Sequence, residues 1–284
     1  MSRSDLSILL TGAAGYVGSY IQPMLSAIGS RRVDVLDADV TAPDLEVPNV
    51  DVVIHLAGRL NSFAGAESEI ERINHEGTVN LARRCRRGTH FVFLSTDQVF
   101  ASDPERIYAE SDTIAPETAY GRSKAAAEAF LLANMERVTI LRTSVLYGYS
   151  HPRRRNTIEF IESKLRAGET IDLFSDVFAC PTYIGDLAAC IERAISDGVY
   201  GTHHACGAEF VSRCDIAEAL CESRGYPREL IRPIPRPAAS NIPRYIHLRQ
   251  SPAMSDLLTV SLADYLQLGA SPSAVASAMA AASP

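Results

Sequence analysis

Tyr120 and Lys124 are four residues apart in the run YGRSK (120–124), and strong helix formers follow them. On a helix, residues i and i+4 share a face, so the ammonium of Lys124 is expected beside the phenol of Tyr120. A positive charge there favours the phenolate and is expected to lower the pKa of Tyr120. A tyrosine of this kind can give a proton to a substrate oxygen or take one from it. Since this spacing also arises by chance on exposed helices, the pair needs support from other motifs.

Two hydroxyls end the apolar run FVFLST, at Ser95 and Thr96. The run predicts a buried strand, and the carboxyl end of such a strand is where open α/β sheets bind ligands. One of the two hydroxyls is expected to hold a substrate carbonyl, and the other can be satisfied by the backbone. Thr96 is the candidate that joins Tyr120 and Lys124 in a catalytic set.

A glycine turn, TGAAGYVG (11–18), lies between a predicted strand and a predicted helix. Glycines at 12, 15 and 18 allow a tight turn and a close approach of the main chain to a pyrophosphate, which then sits at the positive end of the helix. The spacing G-x-x-G-x-x-G differs from the commoner G-x-G-x-x-G. A plain strand–helix turn is the alternative, and the strand and helix around it favour a dinucleotide site.

Acidic residues end the second predicted strand. Asp37 stands where an acid binds the adenosine ribose hydroxyls, and an acid there favours NAD over NADP because it repels a 2′-phosphate. Arg31 and Arg32 lie close by and weaken that preference. Asp39 either caps the following turn or contacts the adenine. The expected cofactor is therefore NAD or NADP, with NAD slightly preferred.

Short apolar runs alternate with helical stretches over residues 1–150, which predicts a parallel sheet covered on both faces. The expected fold is α/β, a Rossmann-type doubly wound parallel sheet with a smaller C-terminal substrate-binding lobe. Residues 1–150 are expected to form mainly the NAD(P)-binding domain, and residues 151–284 mainly the lobe, with some segments returning to the first domain. The predicted helices span 16–28, 68–87, 118–134, 156–167, 184–197 and 212–224.

The composition of the 284-residue chain excludes several classes of protein. A formal net charge of −7 argues against a nucleic-acid partner. No apolar run reaches the roughly 18 residues needed to cross a bilayer, so no membrane association is expected. Six cysteines without C-x-x-C spacing predict free thiols in a reducing cytoplasm.

Further motifs make the chain resemble the extended short-chain dehydrogenase/reductase family, and within it the dTDP-4-dehydrorhamnose reductase group. The resemblance covers nearly the whole chain. It rests on the glycine turn, the Tyr–Lys pair, a late segment with Arg236, and the runs HLAG (55–58), INHEGTVNLA (73–82), LSTDQVF (94–100), ILRTSVLYG (140–148), PTYIGDLA (181–188) and GTHHACG (201–207).

The resemblance implies a role for each matching residue. Thr96, Tyr120 and Lys124 correspond to a catalytic triad, and Asn74 to a residue associated with a proton-relay helix. Residues near the substrate are Asp97, Gln98 and Arg236. The residues that line the cofactor are Gly12, Gly15, Tyr16, Val17, Gly18, Asp37, Asp39, Leu56, Ala57, Gly58, Asn74, Tyr120, Lys124, Arg142 and Ser144.

The residue after Thr96-Asp97 bears on the type of reaction. Dehydratases that resemble this group carry a glutamate there, whereas Gln98 cannot take or give that proton. Plain carbonyl reduction is therefore favoured over dehydration. The reductases usually have an aromatic residue at the position of Gln98 and often a tryptophan at that of Val145, so the identity of the bound sugar stays open.

The expected activity is NAD(P)H-dependent reduction of a keto group on a nucleotide-linked deoxysugar. One alternative is an NAD-dependent nucleotide-sugar epimerase, and another is a non-catalytic, cofactor-binding regulatory subunit. The nucleotide, the stereochemistry and the oligomeric state are left open, with a homodimer among the options.

Weaker signals lie in the second half of the chain. Arg153, Arg154 and Arg155 form either a diphosphate site or a solvated basic loop. A metal at His203, His204 and Cys206 is disfavoured because strand alternation points the two histidines apart, and no metal is expected. Asp186 is expected to cap or orient a helix start.

Overall fold

A computed structural model describes residues 6–27, 31–60, 66–149, 151, 153, 155–238 and 240–267. Most of the strands are short and apolar, as expected for a buried sheet. In chain order they are β1 Ser7–Thr11, β2 Arg32–Leu36, β3 Val52–His55, β4 His90–Thr96, β5 Ile107–Tyr108, β6 Arg137–Thr143, β7 Leu146–Tyr147, β8 Ile171–Phe174, β9 Phe178–Ala179, β10 Thr182–Tyr183, β11 Gly201–His204, β12 Val211–Ser212, β13 Ile231–Ile234 and β14 His247–Leu248.

The helices follow the predicted ones closely and add a short helix near the end of the described chain. They are α1 Tyr16–Ala27, α2 Glu67–Glu71, α3 Gly77–Arg84, α4 Ala119–Asn134, α5 Thr157–Arg166, α6 Ile184–Asp197, α7 Arg213–Arg224 and α8 Leu262–Gln267. A π-helical turn, Arg72–Glu76, joins α2 to α3, where a single helix was predicted. The Ala/Ser-rich segment 270–284 lies outside the described residues.

Six strands form one parallel sheet in the order β11-β6-β4-β3-β1-β2. The chain moves outward from β1 to β2 and then returns to place β3 on the other side of β1. This reversal is the switch point at which open α/β sheets bind ligands, beyond the carboxyl ends of the strands. The Rossmann-type fold predicted from the strand–helix alternation is confirmed.

A continuous apolar core covers one face of the sheet. Its strand residues include Leu9, Val53 and Phe93, and its helical residues include Leu81 and Leu131, all 2% exposed or less. Burial of side chains of this size stabilises a fold by roughly 1.5–3 kcal/mol each. Helices α3 and α4 are therefore held firmly against the strands that precede the site.

The chain forms two compact units. Within the described residues, the first comprises those of 6–101, 110–143 and 188–204 and contains the six-stranded sheet. The second comprises the described residues of 102–109, 144–187 and 205–267 and contains four two-stranded ladders. Pro233 lies in β13, whose one partner among the described strands is β8. A proline fits there because the strand has a partner on one side only.

All six cysteines are free thiols, and all but Cys85 are buried. No helix in the described ranges is both long enough and apolar enough to cross a membrane.

Candidate functional site

The glycine turn lies at the switch point between β1 and β3. Gly12 has φ +69°, a left-handed backbone that favours glycine. A Cβ on Gly12 would stand 2.6 Å from the backbone nitrogen of Ala57, so the exits of the two strands touch here. A Cβ on Gly18 would collide with the carbonyl of Gly12, whereas one on Gly15 would meet that oxygen alone, at 3.0 Å. Gly15, at the start of α1, is therefore the least crowded of the three glycines, although a Cβ there would still contact the Gly12 carbonyl tightly.

The predicted cofactor residues after β2 have different surroundings. Asp37 is exposed at the end of the strand. Asp39 accepts hydrogen bonds from the backbone nitrogen of Thr41 at 2.9 Å and from its hydroxyl at 2.8 Å, and these bonds lower the pKa of Asp39. Arg72 lies 3.6 Å from the Asp39 carboxylate. Of the two roles left open for Asp39, the structure shows the capping of the turn.

Neither arginine that weakened the NAD preference stands free. The guanidinium of Arg31 pairs with Glu192 at 2.5 and 2.7 Å, and its side chain is 7% exposed. Arg32 pairs with Asp34 at 3.0 Å. Both side chains are therefore engaged by carboxylates.

Asn74 fixes the loop that follows β3. Its side-chain oxygen accepts from the backbone nitrogen of Arg59 at 2.7 Å, and its side-chain nitrogen donates to the carbonyl of the same residue at 2.9 Å. The nitrogen also donates to the hydroxyl of Ser123 at 3.1 Å. Because Asn74 is 1% exposed and lies in the π-helical turn, it ties the loop 56–59 rigidly to α4.

Thr96 and Tyr120 meet at the carboxyl end of β4. The Thr96 hydroxyl donates to a carboxylate oxygen of Asp97 at 3.0 Å, and both residues influence the electrostatics of the Tyr120 phenol. Thr96 and Asp97 are 6% and 8% exposed. The structure thus brings together two members of the predicted catalytic triad and places a carboxylate next to them.

The electrostatics of Tyr120 differ from the sequence expectation. Burial raises the pKa of Tyr120 most, the Asp97 carboxylate raises it further, and the neighbouring Thr96 lowers it. The ammonium of Lys124 instead stands over the ring of Phe93, 3.9 Å from its centroid. The prediction that Lys124 lowers the pKa of Tyr120 is therefore wrong, because i, i+4 spacing gives a shared face and does not fix where a long side chain ends.

Lys124 itself is buried, with 4% exposure. Burial lowers the pKa of Lys124 to about 7, and the charge of Glu128 acts in the opposite direction. The lysine therefore lies on the buried side of α4, where desolvation favours loss of its charge.

Gln98 is held by the amino end of α4. Its side-chain oxygen accepts from the hydroxyl of Thr118 at 3.1 Å, and Thr118 caps the helix by accepting from the nitrogen of Gly121 at 2.9 Å. A Cβ on Gly121 would collide with the carbonyl of Gln98. The glycine of the YGRSK run thus lets the helix pack against the turn after β4.

A buried ion pair, which the sequence analysis missed, anchors α4 farther along. Arg142 donates to both carboxylate oxygens of Glu128, at 2.7 to 3.2 Å, and Ser95 donates to the same carboxylate. We call Ser95, Glu128 and Arg142 the ionic cluster. The sequence signal for this ion pair was Glu128, a lone acid four residues after Lys124 in an apolar helix. The guanidinium of Arg142, predicted to line the cofactor, is 2% exposed and engaged by Glu128 and by the carbonyl of Glu110.

A family profile described as RmlD substrate binding domain matches residues 6–265. This chain belongs to that family. The dTDP-4-dehydrorhamnose reductase of Mycolicibacterium smegmatis is 34% identical over 252 residues, which cover 81% of this chain and 75% of that protein. The dTDP-4-keto-6-deoxy-D-glucose reductase of Streptomyces niveus is 32% identical and is covered over 82% of its length, with 80% of this chain.

A solved structure has the same fold as this RmlD family chain. The dTDP-4-dehydrorhamnose reductase from Bacillus anthracis has a TM-score of 0.79 at 24% identity, with 93% of this chain and 98% of that one covered. The predicted membership in the extended short-chain dehydrogenase/reductases, near the dTDP-4-dehydrorhamnose reductases, is confirmed. So is the prediction of an NAD(P)-dependent oxidoreductase.

The second unit of this RmlD family member holds the remaining candidates. The hydroxyl of Ser144 accepts from the nitrogen of Cys180 at 3.3 Å. The backbone nitrogen of Arg236 donates to Asp176 at 2.6 Å, and its guanidinium donates to the carbonyl of Ser240. Asp186 accepts from the nitrogen of Val260 at 3.0 Å. Asp186 therefore holds a later segment of the chain, besides standing in the first turn of α6 as expected.

The other weak signals have structural roles or lie outside the description. Arg154 is outside the described residues, and Arg155 donates to Ser163 at 3.2 Å. His203 contacts the carbonyl of Tyr200 at 3.0 Å. Within the part of the chain that is described, no three histidine, cysteine, aspartate or glutamate side chains are grouped to hold a metal ion.

Proposed function

We propose that this protein reduces a keto group on a nucleotide-linked deoxysugar with NAD(P)H. The proposal is supported by relatives named as reductases of dTDP-linked keto sugars, which cover most of the chain. The observation that carries it is the position of Thr96 beside Tyr120 at the carboxyl edge of the sheet, with Lys124 buried on the same helix. That is the edge where this fold class binds ligands.

The glycine turn fits a dinucleotide. Around Gly12 the backbone packs too closely for any side chain, and the less crowded Gly15 precedes the amino end of α1, where a pyrophosphate is favoured. Gly12, Gly15 and Gly18, with Leu56 to Gly58, would hold the cofactor, and the nicotinamide would supply the hydride. Of the predicted cofactor residues, Arg142 is left out because Glu128 already occupies its guanidinium.

Tyr120 is suited to donate a proton. Because burial and Asp97 raise its pKa, the phenol is protonated at neutral pH and can give its proton to an oxygen that gains charge during reduction. Thr96 would hold the same oxygen. This assignment makes the corrected electrostatics of Tyr120 consistent with reduction, since the proton is present before the reaction starts.

Lys124 would bind the ribose hydroxyls of the cofactor. A desolvated ammonium with a pKa lowered to about 7 is a strong hydrogen-bond donor that can also pass a proton to neighbouring hydroxyls. Gln98, held by Thr118, and Asp97 would face the sugar. Since an amide neither gains nor loses a proton in this pH range, and so cannot act as the acid or base that loss of water needs, the pair Asp97–Gln98 favours plain reduction.

A slight preference for NAD is part of the proposal. Asp37 is exposed at the end of β2, and the neighbouring Arg31 and Arg32 are paired with Glu192 and Asp34. The 2′-phosphate of NADP would lie near the carboxylate of Asp37, and neither Arg31 nor Arg32 would have an unpaired guanidinium to bind it. The Bacillus anthracis reductase was solved with NADP, so both cofactors belong in the test.

The remaining parts of the proposal concern the whole molecule. The second unit would bind the nucleotide sugar, with Arg236 as a donor and Ser144 near the cofactor. We further propose a cytoplasmic protein that acts as a homodimer and binds neither nucleic acid nor membranes. The net charge of −7 supports the absence of a nucleic-acid partner, and the free cysteines support the cytoplasmic location.

The test is oxidation of NADH and NADPH by a panel of dTDP- and UDP-linked 4-keto deoxysugars. We expect one equivalent of reduced cofactor to be consumed for each equivalent of sugar. Tightly co-purifying NAD with sugar interconversion and no net oxidation would instead establish the epimerase. Cofactor binding that only changes the activity of a partner enzyme would establish the regulatory subunit.

A further inference from the structure

His55, at the end of β3, is buried completely and lies in a chain of hydrogen bonds. Its Nδ1 is 2.7 Å from the hydroxyl of Thr11, and its Nε2 is 2.9 Å from the hydroxyl of Thr78. The Thr78 hydroxyl donates to the carbonyl of Asn74 at 2.6 Å. We call Thr11, His55, Thr78 and Asn74 the neutral chain.

The direction of each bond in the neutral chain follows from its last member. Since the one proton of the Thr78 hydroxyl goes to the carbonyl of Asn74, that hydroxyl must accept from Nε2–H of His55. Nδ1 is then the acceptor, and Thr11 donates to it. The structure thus selects a single tautomer of His55, neutral and protonated on Nε2.

The first end of the neutral chain reaches the cofactor turn. The hydroxyl of Thr11, the residue before Gly12, accepts from the backbone nitrogens of Leu56 and Ala57 at 3.2 Å each. These nitrogens belong to the segment that packs against Gly12. Orientation of the Thr11 hydroxyl by His55 therefore fixes the two walls of the turn relative to each other.

The second end reaches the helix that carries Tyr120. Asn74 donates to Ser123, and Ser123 donates to the carbonyl of Tyr120 at 2.8 Å. The ring of His55 also stacks on Phe93, at 5.8 Å and 23°. The ammonium of Lys124 lies over that same ring. His55 thus has a continuous path of contacts to both residues of the Tyr–Lys pair.

A charge on His55 would disrupt this arrangement. Burial, together with the smaller effect of the neighbouring Lys124 ammonium, lowers the pKa of His55 to about 3. A proton on Nδ1 would also face the donating hydroxyl of Thr11, so that bond would have to reverse. The ring therefore stays neutral over the working range of a protein.

We propose that His55 is a positioning residue which couples the cofactor turn to the helix of Tyr120 through the neutral chain. It touches neither cofactor nor substrate, and it acts by keeping the walls of the turn and the phenol in one fixed relation. The catalytic part of this inference rests on the proposed reductase activity, whereas the coupling to cofactor binding does not.

The test compares His55→Phe with His90→Phe. His90 is a matched control because it is also buried, at 5% exposure, and also bonded to a threonine, Thr139, at 2.7 Å, but it lies at the opposite end of β4 from Thr96. We expect both changes to lower the melting temperature. Only His55→Phe is expected to weaken NADH or NADPH binding, about tenfold by fluorescence titration, and to lower kcat by about 10- to 100-fold.

Two further measurements keep the inference testable if His55→Phe does not fold. Thr78→Val removes one link and is expected to weaken cofactor binding and lower kcat as His55→Phe does. Thr78→Ser keeps the hydroxyl and is expected to retain the wild-type cofactor affinity and kcat. In the cofactor-free protein, the 15N shifts of the His55 ring are expected to report the Nε2–H tautomer. Wild-type cofactor affinity and kcat in His55→Phe or Thr78→Val, or an Nδ1–H ring, would overturn the inference.

These outcomes separate two failures. If no keto-sugar nucleotide is reduced by the wild-type protein, the proposed function fails, while the cofactor titration and the tautomer still decide the coupling. If reduction occurs and the His55 and His90 variants behave alike, the coupling fails alone.

Discussion

Helix α4 is held to the sheet at two places by opposite kinds of chemistry. Near Tyr120, the neutral chain reaches it through Asn74 and Ser123 with no formal charge in any link. One turn beyond Lys124, within the ionic cluster, the buried guanidinium of Arg142 pairs with the carboxylate of Glu128. The neutral links fix geometry without adding a charge beside the phenol, whereas the ionic links anchor the helix and counter the desolvation of Lys124.

This difference predicts that substitutions in the ionic cluster and in the neutral chain have different effects on stability and on activity. Removal of one partner from a buried ion pair leaves the other charge uncompensated, but removal of one partner from a neutral bond leaves only an unsatisfied dipole. The ionic cluster is therefore expected to dominate stability, and the neutral chain to dominate the alignment of the reacting groups.

The largest effect is expected for Arg142→Met. The carboxylate of Glu128, 0% exposed, would stay buried with Ser95 as its remaining side-chain donor. The free energy of unfolding, measured in urea, is expected to fall by about 3–5 kcal/mol. The double variant Arg142→Met with Glu128→Leu is expected to recover much of this loss. A loss of unfolding free energy below about 1 kcal/mol in Arg142→Met would contradict the expectation that the ionic cluster dominates stability.

A smaller effect is expected for Asn74→Ala. The change leaves the backbone groups of Arg59 and the hydroxyl of Ser123 without their partner and is expected to cost about 1–3 kcal/mol. The reduction rate is expected to fall more than stability alone explains, because the link to Tyr120 is lost.

Asn80→Ala is the control for that prediction. Asn80 lies on α3 and donates to the carbonyls of Val40 and Ala42 at 2.8 Å, with no bond to α4. A similar loss of stability with an unchanged reduction rate is expected. Equal losses of rate in Asn74→Ala and Asn80→Ala would show that the neutral links are merely structural.

A third effect concerns pH and builds up gradually as the pH falls. The pKa of His55 is lowered to about 3 in the folded protein, so between about pH 3 and 6.5 the unfolded chain binds more protons at this residue. Stability from His55 is therefore full above pH 6.5 and is lost as the pH falls, by about 1 kcal/mol per pH unit.

The measurement is urea unfolding of the wild type and His55→Phe across this range. The difference in unfolding free energy between them is expected to shrink as the pH falls. A difference that stays constant from pH 7 to pH 4 would mean that His55 is not held neutral by burial.

Much of this fold could be predicted from local patterns. The apolar run before Gly12, the hydroxyls after Phe93 and the helix formers after Lys124 each specify an element through its own residues. Their placement at one edge follows from parallel topology, because the carboxyl ends of parallel strands share that edge.

The electrostatic detail could not be predicted in the same way. The pairing of Arg142 with Glu128 and the position of the Lys124 ammonium over Phe93 depend on packing between residues far apart in the chain. The pKa of Tyr120 was predicted in the wrong direction because burial and Asp97 outweigh a lysine that ends elsewhere. The spacing of residues along a helix predicts which of them share a face. How far each side chain is removed from water depends on the packing of the whole structure.

The most direct test of the account is the change Tyr120→Phe, studied with the keto-sugar nucleotide that the wild type reduces. We expect oxidation of NAD(P)H to fall by at least a hundredfold, while the affinity for the reduced cofactor stays within about twofold of wild type. Undiminished oxidation in Tyr120→Phe would contradict the assignment of the phenol as proton donor and, with it, the role given to the two anchors of α4.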